Sequence, residues 1–403
     1  MNLIVVAAFS ALAIVVAPAG ASTNCDATTP VATITSCTQV IQSGALGDRD
    51  LAAAYVSRAN AYQAVTRYQE AIQDYDHAIA LEPNRAAAFV NRGIAYLALR
   101  QVTDALQDFD RAIKLSPDDV FALVGRSNSY RELGRLDLAI RDLDQAIKLK
   151  PDFEPAYFNR GSIYGEQGQY TQAIQELDQA IKLEPGDAQA FNTRGIAYRH
   201  LGQFALAIED FSHALKLAPD YTRALLQRGV TYRHMGLYAF SIADLNRALD
   251  TKHDTVDAFF DRGLTYLQLR QFDRALGDFD KVIALKPNYA PAFNNRCWVR
   301  AVWGRQLNVA LADCTKSLAL KPKNAYALGS RAFVHYRMRD YAGAIADGSA
   351  AVEADPNDGD AYFVRGLAKL QSSDRSGGEA DIAAAKKLEP LIADTYAGWG
   401  VKP

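Results

Sequence analysis

Very little in this sequence is concentrated. Its 403 residues carry 44 Lys and Arg against 46 Asp and Glu, a net charge of −2, with no basic domain or stripe. Nucleic-acid binding needs clustered cations to neutralise phosphates, so the charge balance speaks against a nucleic-acid partner. Histidine is sparse and scattered, at His77, His200, His213, His234, His253 and His335, and no CxxC pair occurs. The zinc-protease helix motif, the nucleophile elbow and the phosphate-binding glycine loop are all absent. The sequence therefore predicts a protein that is not an enzyme and carries neither cofactor nor metal.

Long apolar runs are missing too, with one exception at the start, "MNLIVVAAFSALAIVVAPAGAS". The run from Leu3 to Ala17 is followed by Pro18 and the small residues Ala19-Gly20-Ala21, which predicts a signal peptide over 1–21. No Lys or Arg precedes it, and Leu3–Ala21 is nearly long enough to span a bilayer, so a retained anchor is the alternative. Cleavage implies a periplasmic or secreted chain with no stable membrane insertion afterwards. Only four cysteines are present, and an oxidising compartment would let them pair. Of three possible pairings, proximity favours Cys25 with Cys37 and Cys297 with Cys314. Buried free thiols at a tight helix contact are the alternative for the second pair.

What the sequence does have is a period. Prolines stand at 83, 117, 151, 185 and 219, then at 287, 322, 356 and 390. The step is 34, with one slot taken by His253 and one step of 35. Ahead of each lies a phrase such as "AIRDLDQAIKLKP" (139–151), and ahead of that a second such as "FNTRGIAY" (191–198). Both have helical spacing, which predicts two helices per unit joined by short turns, hence antiparallel neighbours. Gly134, Gly168, Gly202, Gly236 and Gly304 mark the first turn, and the prolines mark the second.

The pattern resembles the tetratricopeptide repeat family. Phe89, Gly93, Tyr96, Ala105, Phe109, Ala112 and Pro117 occupy its positions in the second unit, and Phe191, Gly195, Tyr198, Ala207, Phe211, Ala214 and Pro219 in the fifth. Ten units start at 52, 86, 120, 154, 188, 222, 256, 290, 325 and 359 and cover 52–392. The resemblance implies an all-α, right-handed superhelical α-solenoid. A capping segment over 22–51 precedes the array, because "ITSCTQVIQSG" (34–44) matches the second helix of unit eight, and a short C-terminal cap over 393–403 ends it. Departures cluster late: unit eight has an extra residue near Gln306, and unit ten has Gly378 and Lys369 at the alanine and tyrosine positions.

One slot of the first helix is always arginine: Arg58, Arg92, Arg126, Arg160, Arg194, Arg228, Arg262, Arg296, Arg331 and Arg365. Sixteen residues on stands an acid, namely Asp74, Asp108, Asp142, Glu176, Asp210, Asp244, Asp278, Asp347 and Asp381, with Asp313 seventeen after Arg296. An antiparallel hairpin sets these opposite each other, and a buried charge demands a partner. The pattern predicts a structural ion-pair ladder, with an acid of the preceding unit as the alternative partner. A row of cations gripping an anion is the competing reading, and one acid per arginine argues against it.

The family's first helices line a concave face that binds peptides. Correspondence places Val56, Asn60, Val90, Ile94 and Leu97 outward on that face in early units. Asn128, Arg131, Phe158, Asn192, Arg199, His200, Arg233 and His234 follow in the middle, and Phe260, Leu264, Trp298, Phe333, Tyr336, Arg337, Phe363 and Leu367 late. Val56 and Val90 stand where the family's clamp for chaperone C-termini needs other residues, so that clamp is not expected. The expected function is a non-catalytic scaffold holding a peptide or protein segment. A carrier or sensor of a small anionic or glycan ligand, using Arg131, Arg199 and Arg233, is the alternative. An envelope-anchored assembly factor is a third, should the leader be retained.

Overall fold

The computed structural model describes Cys25, residues 27–252 and residues 255–401. The predicted leader over 1–21 and His253 lie outside the described residues. Among the described residues there are only helices and turns. The chain divides into two compact units, one ending at Gln203 and one beginning at Phe204.

The first unit opens with α1 (Pro30–Gln42), then pairs α2 (Asp48–Ala64) with α3 (Tyr68–Leu81) and α4 (Ala86–Ala98) with α5 (Val102–Leu115). The pairs α6 (Val120–Glu132) with α7 (Leu136–Leu149) and α8 (Glu154–Glu166) with α9 (Tyr170–Leu183) follow, and α10 (Ala188–His200) ends it. The second unit starts with α11 (Phe204–Leu217), then α12 (Thr222–His234) with α13 (Tyr238–Thr251) and α14 (Val256–Gln268) with α15 (Phe272–Leu285). Next come α16 (Ala290–Trp303) with α17 (Leu307–Leu320) and α18 (Ala325–Arg337) with α19 (Tyr341–Ala354). Last are α20 (Gly359–Gln371) with α21 (Arg375–Leu388), and the short α22 (Ile392–Gly398).

The second hairpin explains the pattern. Along α5, Ala105, Phe109 and Ala112 share one helical face and are fully buried. Asp104 in its first turn and Lys114 in its last complement the helix dipole. The helix stops at Leu115 because Ser116 precedes Pro117 and is pushed to φ −140°, ψ 89°. The Phe109 ring is wedged between two first helices. A Cβ at Gly93 would come within 2.9 Å of it, and one at Gly125 closer still. Glycine at these places lets one aromatic ring join two successive hairpins.

Within a hairpin the turn needs a left-handed residue. Thr66, Arg100, Gly134, Gly168, Gly202, Gly236, Arg270, Gly304, Arg339 and Ser373 all occupy that slot, with φ between 58° and 75°. Successive first helices touch one another within each unit, whereas second helices touch first helices and, in the last hairpin, the terminal α22, but not one another. This draws each stack together on its first-helix side.

Two disulfides are present. Cys25–Cys37 ties the segment before α1 to that helix, and both cysteines are buried in one cluster with Ala54. Cys297–Cys314 crosses the eighth hairpin, from α16 to α17. The extra residue there leaves both Gly304 and Gln306 left-handed, at φ 73° and 55°. Gln306 then accepts a hydrogen bond at 3.0 Å from Arg300, a buried arginine that also pairs with Asp313.

Candidate functional site

The arginine slot is half-buried between helices. Arg58, Arg92, Arg126, Arg228, Arg262, Arg296, Arg331 and Arg365 each donate two bonds to the acid of their own hairpin, at 2.5–2.9 Å. Arg160 gives a single bond to Glu176, at 2.7 Å. Arg194 lies in the first unit and Asp210 in the second.

A second bond reaches back to the previous hairpin. Arg92 donates to Asp76, Arg126 to Asp110, Arg160 to Asp144, Arg194 to Asp178 and Arg296 to Asp280, at 2.5–2.8 Å. Neutral acceptors replace the acid elsewhere: Thr38 for Arg58, Ser212 for Arg228 and Asn246 for Arg262. The two partners differ in depth. Asp108 is 7% exposed and Asp76 52% exposed, so solvent screens the second bond far more than the first. The hydrogen bonds that Arg126 donates to Asp142 raise the pKa of Arg126 against the opposing effect of burial. A guanidinium held this way has no fork left to grip a ligand.

Further out on the first-helix face, cations also have partners. Arg131 pairs with Glu166 of the next hairpin, and Arg233 donates to Asp261 at 3.1 Å. His200 stacks on Tyr170, with ring centroids 4.6 Å apart, and His234 on Phe204 at 6.0 Å. Partial burial, then the charge of Arg199, lowers the pKa of His200 and favours its neutral form. Asn128 and Arg199 are half-buried. Val56, Val90, Leu97, Asn192, Phe333, Phe363 and Leu367, which correspondence places outward, are buried. Their positions pack between neighbouring first helices.

The late aromatic residues come together under the C-terminus. Phe333 is fully buried, with Trp298 at 5.4 Å, Tyr396 at 5.2 Å and Trp399 at 6.3 Å between ring centroids. Tyr336 packs at the edge of the same cluster, tilted against Tyr341 at 6.0 Å. Two arginines hold the main chain of the same segment. Arg270 donates to the Gly398 carbonyl at 2.5 Å and Arg337 to that of Trp399 at 3.3 Å. Arg270 also lines an open depression of about 450 Å³ with Phe272, Asp273, Arg274 and Trp303. Sequence reasoning passed over Arg270, although an arginine in the left-handed turn slot, where half the hairpins have glycine, was a usable signal.

Among the described residues no helix is long and apolar enough to cross a membrane, and no group of side chains is arranged to hold a metal ion.

Comparison with known proteins points one way. A family model described as tetratricopeptide repeat matches residues 56–120, 158–222 and 192–252, a second of the same description 256–289, and a TPR repeat model 128–168. Together they span more than half of the chain. No curated protein matches. Among solved structures, the Cut9–Hcn1 hetero-tetramer of the APC/C is similar over 92% of this chain and 82% of that one, at 13% identity and a TM-score of 0.53. A tetratricopeptide repeat protein from Parabacteroides merdae matches over 61% and 97%, at 20% identity and a TM-score of 0.48. YrrB, described as a TPR protein with an unusual peptide-binding site, matches over 46% and 95%, at 23% identity and a TM-score of 0.39.

Proposed function

Because this chain belongs to the tetratricopeptide repeat family, an all-α solenoid fold whose members generally mediate protein–protein interaction, we propose that it is a non-catalytic scaffold whose first helices hold a peptide or protein segment. One observation carries the reading: in the second unit this face and its bordering turn already grip polypeptide, with Arg270 of the turn after α14 and Arg337 of α18 on successive backbone carbonyls and Trp399 against Trp298. Arginines that bond main-chain oxygens beside an aromatic cleft are suited to a peptide, whatever its charge. A small anionic or glycan ligand is less well served, since Arg131 and Arg233 already have carboxylates. The two disulfides fit an oxidising compartment, and we place the chain outside the cytoplasm, exported by the leader over 1–21.

A photo-crosslinking residue at Asn128, on a first helix, should trap a protein in cell-envelope or secreted fractions, while the same probe at exposed Arg141, on a second helix, should not. Equal yields from both positions, or adducts with small molecules alone, would sink the proposal.

A further inference from the structure

The end of the chain does more than cover the tenth hairpin. Covering is the work of Ile392 and Tyr396, both buried, with the Tyr396 ring 4.8 Å from Phe363 of that hairpin. After Tyr396 the chain turns back. Gly400 takes φ +76°, and the Val401 N–H donates to the Tyr396 carbonyl at 3.0 Å. A left-handed glycine is what this ending requires, and it lets Val401 bury its side chain.

The turn carries Trp399 away from hairpin ten. Its ring stands edge-on to Trp298 of hairpin eight, 5.3 Å between centroids. Gly398 and Trp399 have carbonyls at a helix end, where no intrahelical donor remains. Arg270 of hairpin seven and Arg337 of hairpin nine supply the donors. Arg337 leans over the Phe333 ring at 5.8 Å. Arg270 makes its bond from a left-handed backbone that arginine rarely adopts. A cap for one hairpin needs none of these groups.

We infer that residues 398–401 are an internal ligand seated on the first-helix face of the second unit, in the place of a partner segment of the same chemistry. That segment presents a large aromatic side chain to the cleft of Trp298 and Phe333. It offers two neighbouring backbone carbonyls to Arg270 and Arg337, and a glycine lets it turn. The inference rests on the reading of this face as a peptide-binding surface. The tether through α22 is short, which sets an effective concentration on the order of millimolar, so weak individual contacts keep the tail seated and a free partner must compete.

The probe is a fluorescein-labelled peptide of residues 397–403, AGWGVKP. The full chain with Trp399→Ala should bind it at least tenfold more tightly than the wild type, whose seat is filled. Adding Arg270→Ala and Arg337→Ala to that variant should abolish binding. A Trp399→Ala chain of native helicity that binds no better than wild type overturns the inference. Hydrogen exchange on the wild type gives a second measure. Amides of residues 399–401 should exchange at least tenfold faster than those of Arg375–Leu388; opening of both together would make the tail a structural cap and overturn the inference. Protein adducts at position 128 without peptide binding at hairpins eight and nine would spare the scaffold reading and end this one.

Discussion

At the scale of the residue, the arginine slot decides most. Arg126 faces Asp142, 8% exposed, at 2.7 Å and Asp110, 41% exposed, at 2.8 Å. Arg126→Leu leaves the buried Asp142 uncompensated and should cost about 3 kcal/mol, measured by chemical denaturation. Arg126→Leu with Asp142→Leu should recover most of that loss. Equal damage in both variants would show that the pairing carries no such energy. The partner within the hairpin was legible because the interval of sixteen recurs along the chain. The partner in the preceding hairpin was legible only as an alternative. It is an acid at Asp76, Asp110 and Asp144 but serine at Ser212 and asparagine at Asn246, so charge alone traces it poorly.

Glu154 gives a pH test at the same scale. Burial, then the charges of Asp187 and Glu184, raise its pKa to about 7, and its Oε1 has no hydrogen-bond partner. Because the folded pKa lies above the unfolded one, the native state binds more protons between them. Stability from this group is present at mildly acid pH and is lost as pH rises through about 7. Glu154→Gln should flatten that decline in a series of melts from acid to neutral pH, and a variant with the wild-type pH slope would refute the assignment.

At the scale of the element, the first turn of each hairpin separates what composition encodes from what geometry imposes. Gly134 and Arg100 share the slot at φ 72° and 62°. Replacing Gly134 with alanine should destabilise by about 1 kcal/mol, and Arg100→Gly should stabilise by a similar amount, as the left-handed penalty is imposed or removed. Opposite signs in paired denaturation curves are the expected result. Helix pairs and their turns could be read from spacing alone, since glycine and proline punctuate them. The outward face could not. Val90 and Leu97 look like groove residues in a single hairpin and become interior ones when the next first helix packs against them.

At the scale of the molecule, each hairpin contacts chiefly its neighbours, so unfolding should not be a single all-or-none step. Replacing Cys297 and Cys314 with serine opens a loop of 17 residues and should cost up to roughly 3 kcal/mol by chain entropy. Faster hydrogen exchange should be confined to hairpin eight and its neighbours, with Ala86–Leu149 unchanged; a uniform increase would contradict the stacked-hairpin account. The tail's path was invisible in the sequence for a related reason. Trp399 meets Trp298 across a hundred residues, outside any period.

The arginine held by two successive hairpins has a consequence for chain length. Excising residues 120–153 removes Arg126, Asp142 and Asp144 together, and brings Asp110 to the distance from Arg160 that Asp144 had before. Arg160 keeps Glu176 and gains Asp110 in place of Asp144, and Arg92 keeps Asp108 and Asp76, so the shortened array should fold with undiminished helicity per residue. A cut that is not a whole number of hairpins strands a cation, which makes whole hairpins the natural currency of growth and loss in this protein.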